Sequence, residues 1–453
     1  MKTLIKNILM VMLVCTTIQI APAQTLHSLY FLEGNNQRNN LNPAFTSKSG
    51  YVTFPALGNI YIGANSNIGL GAIMQPRGNE MVTFMHQSIG IDDALSKFKD
   101  NNTVEANVGL NIFTLGFNKW GGSNTISLSA KSFTGAYIPK TIFTFLKAGQ
   151  TEPETRYEAS NITATTKNYV ELAFGHARDL NEKFSVGAKF KVLLGAGYAE
   201  AHVDKMDITM SQNEWYINES STLIASKGIK LGVKDDGEID KLKLGGFGLA
   251  GFGLGLDLGI IYRINEQANV SFAITDIGFM SWNGCSSASN KNKEFRFNGF
   301  DNIGVEDDDK GNNAFDDAAD EVWNSLKDIV KYYDEGKRNK TTSLYSTFRV
   351  AGEYGILNNK ISFGLLGTMR VGAPKLWTEG MLTANFRPTS WFNAALNGSV
   401  SNIHSSLGAT LNFHPKAVNF FVGMDYFLAT YSKQFIPIDA AKVNIGMGLS
   451  FNF

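Results

Sequence analysis

Apolar and polar positions alternate strictly from Val443 to the end of the chain. Val443, Ile445, Met447, Leu449, Phe451 and Phe453 are apolar, while Asn444, Gly446, Gly448, Ser450 and Asn452 between them are small or polar. A period of two means a strand with one apolar face and one polar face. A tilted strand of about ten residues crosses the hydrocarbon of a bilayer. The same pattern recurs upstream. Over Phe184–Tyr198 the even positions read Phe, Val, Ala, Phe, Val, Leu, Ala, Tyr, against Ser185, Lys189, Lys191 and glycines. Over Ala250–Tyr262 an apolar even face opposes glycine and Asp257. Phe348, Val350 and Tyr354 oppose Thr347, Arg349 and Glu353, and Ile361, Phe363, Leu365 and Met369 oppose Ser362, Gly364, Thr368 and Arg370. Strands of soluble sheets run near five or six residues, and several of these are about twice that.

The connections fall into two classes. Six are short and polar: Asn118–Ser123, Arg178–Lys183, Arg263–Gln267, Gly355–Lys360, Arg387–Ser390 and Phe413–Lys416. Four are long and rich in Asn, Asp, Lys and Ser: Gly71–Thr103, Gly135–Thr166, Glu200–Leu244 and Met280–Thr342. Each short turn joins two strands, and a first strand around Tyr51–Leu70 and the terminal one bring the total to about fourteen. Short turns at one end and long loops at the other are the asymmetry of an outer-membrane barrel. The pattern therefore predicts an all-β fold, a transmembrane antiparallel β-barrel of about 14 strands over residues 51–453. Helical spacing at Ile91–Lys99, and more strongly at Ala314–Tyr333, predicts a helix in each of two long external loops.

The start of the chain predicts export. Lys2 and Lys6 precede a short apolar run, Ile8 to Ile20, and the small-residue site Ala21-Pro22-Ala23. This reads as a signal peptide over 1–23, cleaved before Gln24; the run is too short for a comfortable membrane anchor. Cys15 would leave with it, so Cys285 remains alone and no intramolecular disulfide can form. The 41 basic and 41 acidic residues become 39 and 41 once Lys2 and Lys6 go, which provides no electrostatic reason to bind nucleic acid. Beyond the signal no apolar run approaches the roughly 18 residues of a membrane helix, and a chain without helices can span lipid only as a closed barrel. The expected location is the bacterial outer membrane. The expected partners are its lipid and lipopolysaccharide, and the barrel-assembly machinery that would read Phe451 and Phe453 as an assembly signal.

If the apolar face points to lipid, Lys131, Glu171, Lys189, Lys191, Asp257, Arg349, Glu353 and Arg370 point into the lumen. A cationic side chain facing lipid at midplane costs roughly 2–4 kcal/mol, so parity and burial agree. These charges line a channel or ligand cavity, or pair with one another in a packed lumen. Their signs are mixed, and no ion preference follows. The acidic run Glu306-Asp307-Asp308-Asp309 fails as a calcium loop, because Gly311 stands where a fifth-position ligand belongs. No HExxH, G-x-S-x-G or P-loop is present, so no catalytic residue, metal or cofactor is expected.

Residues 24–50 precede the first strand. They are too polar for a strand and too aromatic for a linker, which leaves a plug entering the barrel or a periplasmic segment. Thr25–Gly34 (TLHSLYFLEG), Leu41–Phe45 (LNPAF) and Gly50–Asn59 (GYVTFPALGN) resemble the opening of an uncharacterised Bacteroidota outer-membrane β-barrel family, a domain of unknown function. The segment is also distantly similar to the plug of long-chain fatty-acid transporter-like barrels and to PorP/SprF-type barrels. The resemblance implies location and fold, and supplies no established activity. The chain departs from a plain porin in its helical external loop and in unpaired mixed lumen charges. The leading expectation is a transport or channel barrel for a small solute, hydrophobic solutes included, gated by Asn42, Pro43, Ala44 and Phe45. The alternative is a structural or assembly barrel that holds a surface or secretion partner through Glu200–Leu244 and Met280–Thr342.

Overall fold

The computed structural model describes residues 25–54, 57–77, 80–246, 248–298, 331–372, 375–403, 405–426 and 441–453. Fourteen antiparallel positions close into one ring. The first, β1, is shared by Tyr51–Thr53 and Ile60–Ser66. Then come β2 (Asn101–Lys119), β3 (Gly122–Pro139), β4 (Glu154–Asp179), β5 (Phe184–Ser211), β6 (Gly251–Arg263) and β7 (Ala268–Ser289). The second half is β8 (Thr347–Ile356), β9 (Ile361–Arg370), β10 (Trp377–Thr389), β11 (Phe392–Ser401), β12 (Ser405–Phe413), β13 (Val418–Tyr426) and β14 (Ala441–Asn452). Closure is made at β1, where Ile62 lies between Ile445 of β14 and Val108 of β2. The ring leaves no unpaired edge, the condition for placing strands in lipid.

The alternation sorts side chains across the wall. Phe190, Phe252, Leu258, Val350, Phe363, Leu365, Leu382, Leu396 and Met447 are exposed on the outer surface. Their strand neighbours Lys189, Asp257, Arg349, Ser362, Thr383 and Asn397 are buried inside. Such a belt of exposed large apolar residues is far beyond what a water-facing sheet carries, and it matches a lipid-facing surface. All six short turns join successive strands. At the β2–β3 turn, Trp120 and Gly121 have φ of 57° and 71°, two consecutive left-handed residues that match the twist of a hairpin.

Three expectations are corrected. The long connections are mostly strand rather than loop: β4 and β5 run for 26 and 28 residues, against 9 to 13 in β8 to β14. Beyond the lipid the outward apolar face is no longer required: Glu154, Arg156, Glu158 and Ser160 are exposed on one side while Tyr157 packs with Ile208 and Met210 on the other, and backbone pairing continues. Within Glu200–Leu244 and Met280–Thr342, further strands at Trp215–Ala225, Ile229–Val233, Ile239–Leu244, Glu294–Phe297 and Tyr333–Ser343 extend this projecting sheet. Tyr333 thus opens a strand and does not end a helix; the rest of the Ala314–Tyr333 expectation, and the acidic run at Glu306, lie outside the described residues. Tyr198, placed by parity on the lipid face, is fully buried inside. A register shift at Asn168/Tyr169 pairs Asn168 with Gly197 and Tyr169 with Gly195, so Ala196 is skipped and the parity inverts. Tyr198 then stacks on Trp282 at 5.2 Å, in a cluster that also buries Cys285.

The Ile91–Ser96 helix forms as expected, and a second helix, Lys140–Ala148, packs beside it. Phe98 and Phe143 stack at 4.0 Å, with Phe84 edge-on to both, in an apolar cluster at the long-strand end of the barrel.

Candidate functional site

The inner face of the barrel meets residues 25–45. Leu26, Leu29, Tyr30, Phe31, Leu32 and Leu41 are buried against inward-facing Ala351, Leu366, Met381, Ala395 and Phe421. The segment turns through two 3₁₀ helices, His27–Phe31 and Asn36–Asn40. Such short turns expose backbone polar groups, and the barrel supplies partners for them. Asp425 accepts from the N–H groups of His27 and Ser28. Asn393 donates to Glu33 O at 2.7 Å, and Arg387 to Phe31 O at 3.1 Å. Glu379 meets His27 Nδ1 at 2.8 Å and accepts from the Tyr426 hydroxyl at 2.8 Å. Asn42 accepts from Ala44 N at 2.9 Å and donates to Tyr30 Oη at 2.9 Å, which in turn meets Ser271 Oγ.

Glycines on the inner face make this approach possible. A Cβ at Gly259 would stand 2.0 Å from Asn42 Oδ1, and one at Gly187 would stand 2.0 Å from Pro43 O. The glycine-rich inner face of Ala250–Tyr262 is therefore the surface against which Asn42, Pro43 and Ala44 lie. Phe45 stands edge-on to Tyr30 at 5.1 Å and beneath the Arg38 guanidinium.

Above residues 40 and 41 lies a chamber of about 150 Å³. Of the eight charged positions singled out by parity, Lys131, Glu171, Lys189, Lys191, Asp257, Arg349 and Arg370 line it. Glu353 does not: it lies by the short-turn end, held by Arg387 at 2.7 Å and Ser362 at 2.6 Å. Most of the lumen charges are paired with one another, contrary to the sequence expectation. Lys131 reaches Glu171 at 2.7 Å, and Lys191 bridges Asp257 and Asp276, each at 2.7 Å. Such partners offset the desolvation of buried charges. Lys189 donates to Asn39 O and Asn40 Oδ1, and Arg349 to Leu41 O and Thr275 Oγ1.

Parity reading missed several lumen acids: Glu379 and Asp425, which hold the first 3₁₀ turn, and Glu105 and Asp276 by the chamber. Glu105 is legible by the same rule, since Val104, Ala106, Val108 and Leu110 alternate with Glu105, Asn107 and Gly109. Asp276 is not legible. It sits at a register shift between Leu256 and Leu258, with φ of 61°, and its N–H is capped by Asp257 at 2.7 Å.

A second cavity, about 510 Å³, opens at the long-strand end between Asn67, Lys99, Asp100, Lys375, Trp377 and Asn402. Glu105 lines this vestibule, and Arg370 lines the chamber. The two side chains form a buried ion pair, with the Arg370 guanidinium over the Trp377 ring. That pair stands between the two spaces. Phe451 and Phe453, at the opposite end of β14, face outward; Phe453 is 72% exposed, and its N–H bonds Gly50 O. Among the described residues no group of three His, Cys, Asp or Glu side chains could hold a metal ion.

The chain belongs to a family of unknown function, DUF5723, whose profile matches residues 43–425. No curated protein sequence matches it. Among solved structures it is similar to the toluene transporter TbuX of Ralstonia pickettii, at 8% identity and a TM-score of 0.43, over 91% of this chain and 92% of that one. It is also similar to a FadL homologue of Pseudomonas aeruginosa, at 9% identity and a TM-score of 0.42, over 96% and 99% of the two chains. The toluene transporter TodX of P. putida gives 7% identity and 0.40, over 91% and 92%. The barrel itself rests on the strand pairing and not on these likenesses.

Proposed function

We propose that this member of the DUF5723 family is an outer-membrane transport barrel, held in an occluded state. The observation that carries the reading is the series of spaces along the lumen. An open vestibule leads to the Glu105–Arg370 pair, then to the charged chamber, then to residues 25–45 acting as a plug across the remaining bore. Asn42, Pro43, Ala44 and Phe45 are its gating residues in this reading. The wall of the chamber is polar, which favours a small polar solute over a hydrophobic one. The apolar belt would sit in outer-membrane lipid, with lipopolysaccharide around the projecting strands. Residues 1–23 would direct export, and Phe451 and Phe453 would engage the assembly machinery.

The test is conductance in planar bilayers and solute uptake by liposomes, for the full mature chain and for a chain lacking residues 25–48. Each must migrate anomalously on a gel until boiled, which reports a folded barrel. The full chain should conduct weakly and the shortened chain strongly. Glu105→Gln, which breaks the inner pair without touching the plug, should raise uptake modestly. Absence of conductance and uptake in all three folded proteins would reject transport.

A second reading draws on the projecting sheet. Strands of 26 and 28 residues exceed the span of a membrane more than twofold. That surface would suit a structural or assembly barrel holding a surface partner. If capture at the cell surface returns no partner that depends on residues 200–244 or 280–342, this second reading fails.

A further inference from the structure

We infer that the chamber is a binding station for a small carboxylate, and that the bound anion loosens the floor beneath it. The inference deepens the transport reading by naming the class of solute. It starts from charge balance. Five cationic side chains line the chamber against three carboxylates, and Glu105 beside Arg370 brings a fourth, so one positive charge is left over. The surplus can be located. Lys131, Lys191 and Arg370 each hold a carboxylate. Among the described residues Lys189 and Arg349 hold none; both are more than nine-tenths buried and bond only neutral oxygens. Arg349 donates through Nη1 alone, to Thr275 Oγ1 at 3.0 Å and Leu41 O at 3.4 Å, and no hydrogen bond uses its Nη2 among the described residues. A guanidinium with a free Nη in a low-dielectric wall is a carboxylate receptor.

The two cations also bracket the floor. Lys189 holds Asn39 O and Asn40 Oδ1, and Arg349 holds Leu41 O, so three consecutive residues of the N-terminal segment hang on the two side chains that lack an anion. Asn40 and Leu41 themselves line the chamber. A carboxylate arriving there offers a charged acceptor in place of neutral carbonyl and amide oxygens, and charge-assisted bonds are about twice as strong as neutral ones. The trade detaches residues 39–41 from the wall. The chamber, about 150 Å³, is the size of a cavity that accepts benzene, which suits a solute of about six heavy atoms.

Butyrate and butyramide have that size and differ in charge. Titration calorimetry on the full-length barrel in detergent should show butyrate binding at least about tenfold tighter than butyramide. Arg349→Gln and Lys189→Gln should each weaken butyrate binding at least about fivefold more than butyramide binding, so that the preference is largely lost. Hydrogen exchange at residues 39–42 should rise with butyrate and not with butyramide. Equal binding of the two compounds would overturn the inference, as would variants that bind butyrate like the parent. Should the variants fail to fold, the butyrate-to-butyramide ratio of the parent chain decides alone. Butyrate binding without uptake into liposomes would remove transport and keep the site; equal uptake of the two compounds would remove the site and keep transport.

Discussion

The two halves of the inner wall are made of different chemistry. From β11 to β14 the buried inward side chains are mostly amides and hydroxyls: Asn393, Asn397, Ser399, Ser406, Thr410, Asn412, Asn419, Asn444 and Ser450. From β3 to β7 the inward positions carry Lys131, Glu171, Lys189, Lys191, Asp257 and Asp276. The amide half closes tightly on the N-terminal segment, with Asn35 on Asn412, Asn36 on Ser450, and Ser28 on Thr410. The charged half also touches it, through Gly187, Gly259, Lys189 and Ser271, but above these contacts it leaves the chamber. Short neutral groups can be satisfied one for one by backbone and amide partners in a dry contact. Ionised groups lose more on desolvation than one partner returns, so they keep space and polar surroundings. One half of the wall is built to hold the segment, and the other to leave room above it.

Breaking the charged half should have the largest effect. Lys191→Met strands Asp257 and Asp276 in the wall and should cost about 3–5 kcal/mol, read as a lower midpoint for loss of the heat-resistant gel form. Gly259→Val tests the contact of the charged half with the N-terminal segment. Its side chain meets Asn42 Oδ1, and overpacking of this kind costs about 1–3 kcal/mol. Protease cleavage within residues 25–48 should increase, while the barrel itself stays resistant. Asn393→Ala removes two bonds of the amide half, leaving Glu33 O without its donor and the Asn412 amide without its acceptor, and should cost about 2 kcal/mol. A loss as large as that of Lys191→Met would contradict the division of the wall. Deleting Phe453 touches neither half. Its exposed side chain should change the stability of the folded barrel by no more than about 0.5 kcal/mol. Recovery in the outer-membrane fraction should nonetheless fall, with secretion intact; unchanged recovery would refute its role as an assembly signal.

Legibility followed the same division. The strands of the second half keep period-two alternation over most of their length, with shifts only towards the ends of β10 and β13, and Arg349, Glu353 and Arg370 follow the parity of their strands. In the first half, register shifts at Ala196 and at Asp276 invert the parity, so Tyr198 was assigned to the wrong face and Asp276 to none. The projecting strands escaped for another reason. Outside lipid no run of large apolar residues is required on one face, so Glu154–Thr166 reads as loop although Tyr157 and Ala159 are buried. The N-terminal segment showed its aromatic and amide character in the sequence, but its partners lie far away: Asp425 caps His27 across 398 residues.

The sequence by itself determined that this chain forms a barrel, how many strands it has, and which face of each meets lipid. Lipid imposes one local rule, an apolar side chain at every second residue, and a local rule is written in local pattern. Only the tertiary structure decided what the lumen contains: which charges pair, where Glu105 and Arg370 meet, and that glycines of β5 and β6 admit Asn42 and Pro43. Those contacts join residues that share no strand. They depend on closure of the ring and on single-residue shifts of register, which no periodicity along the chain records.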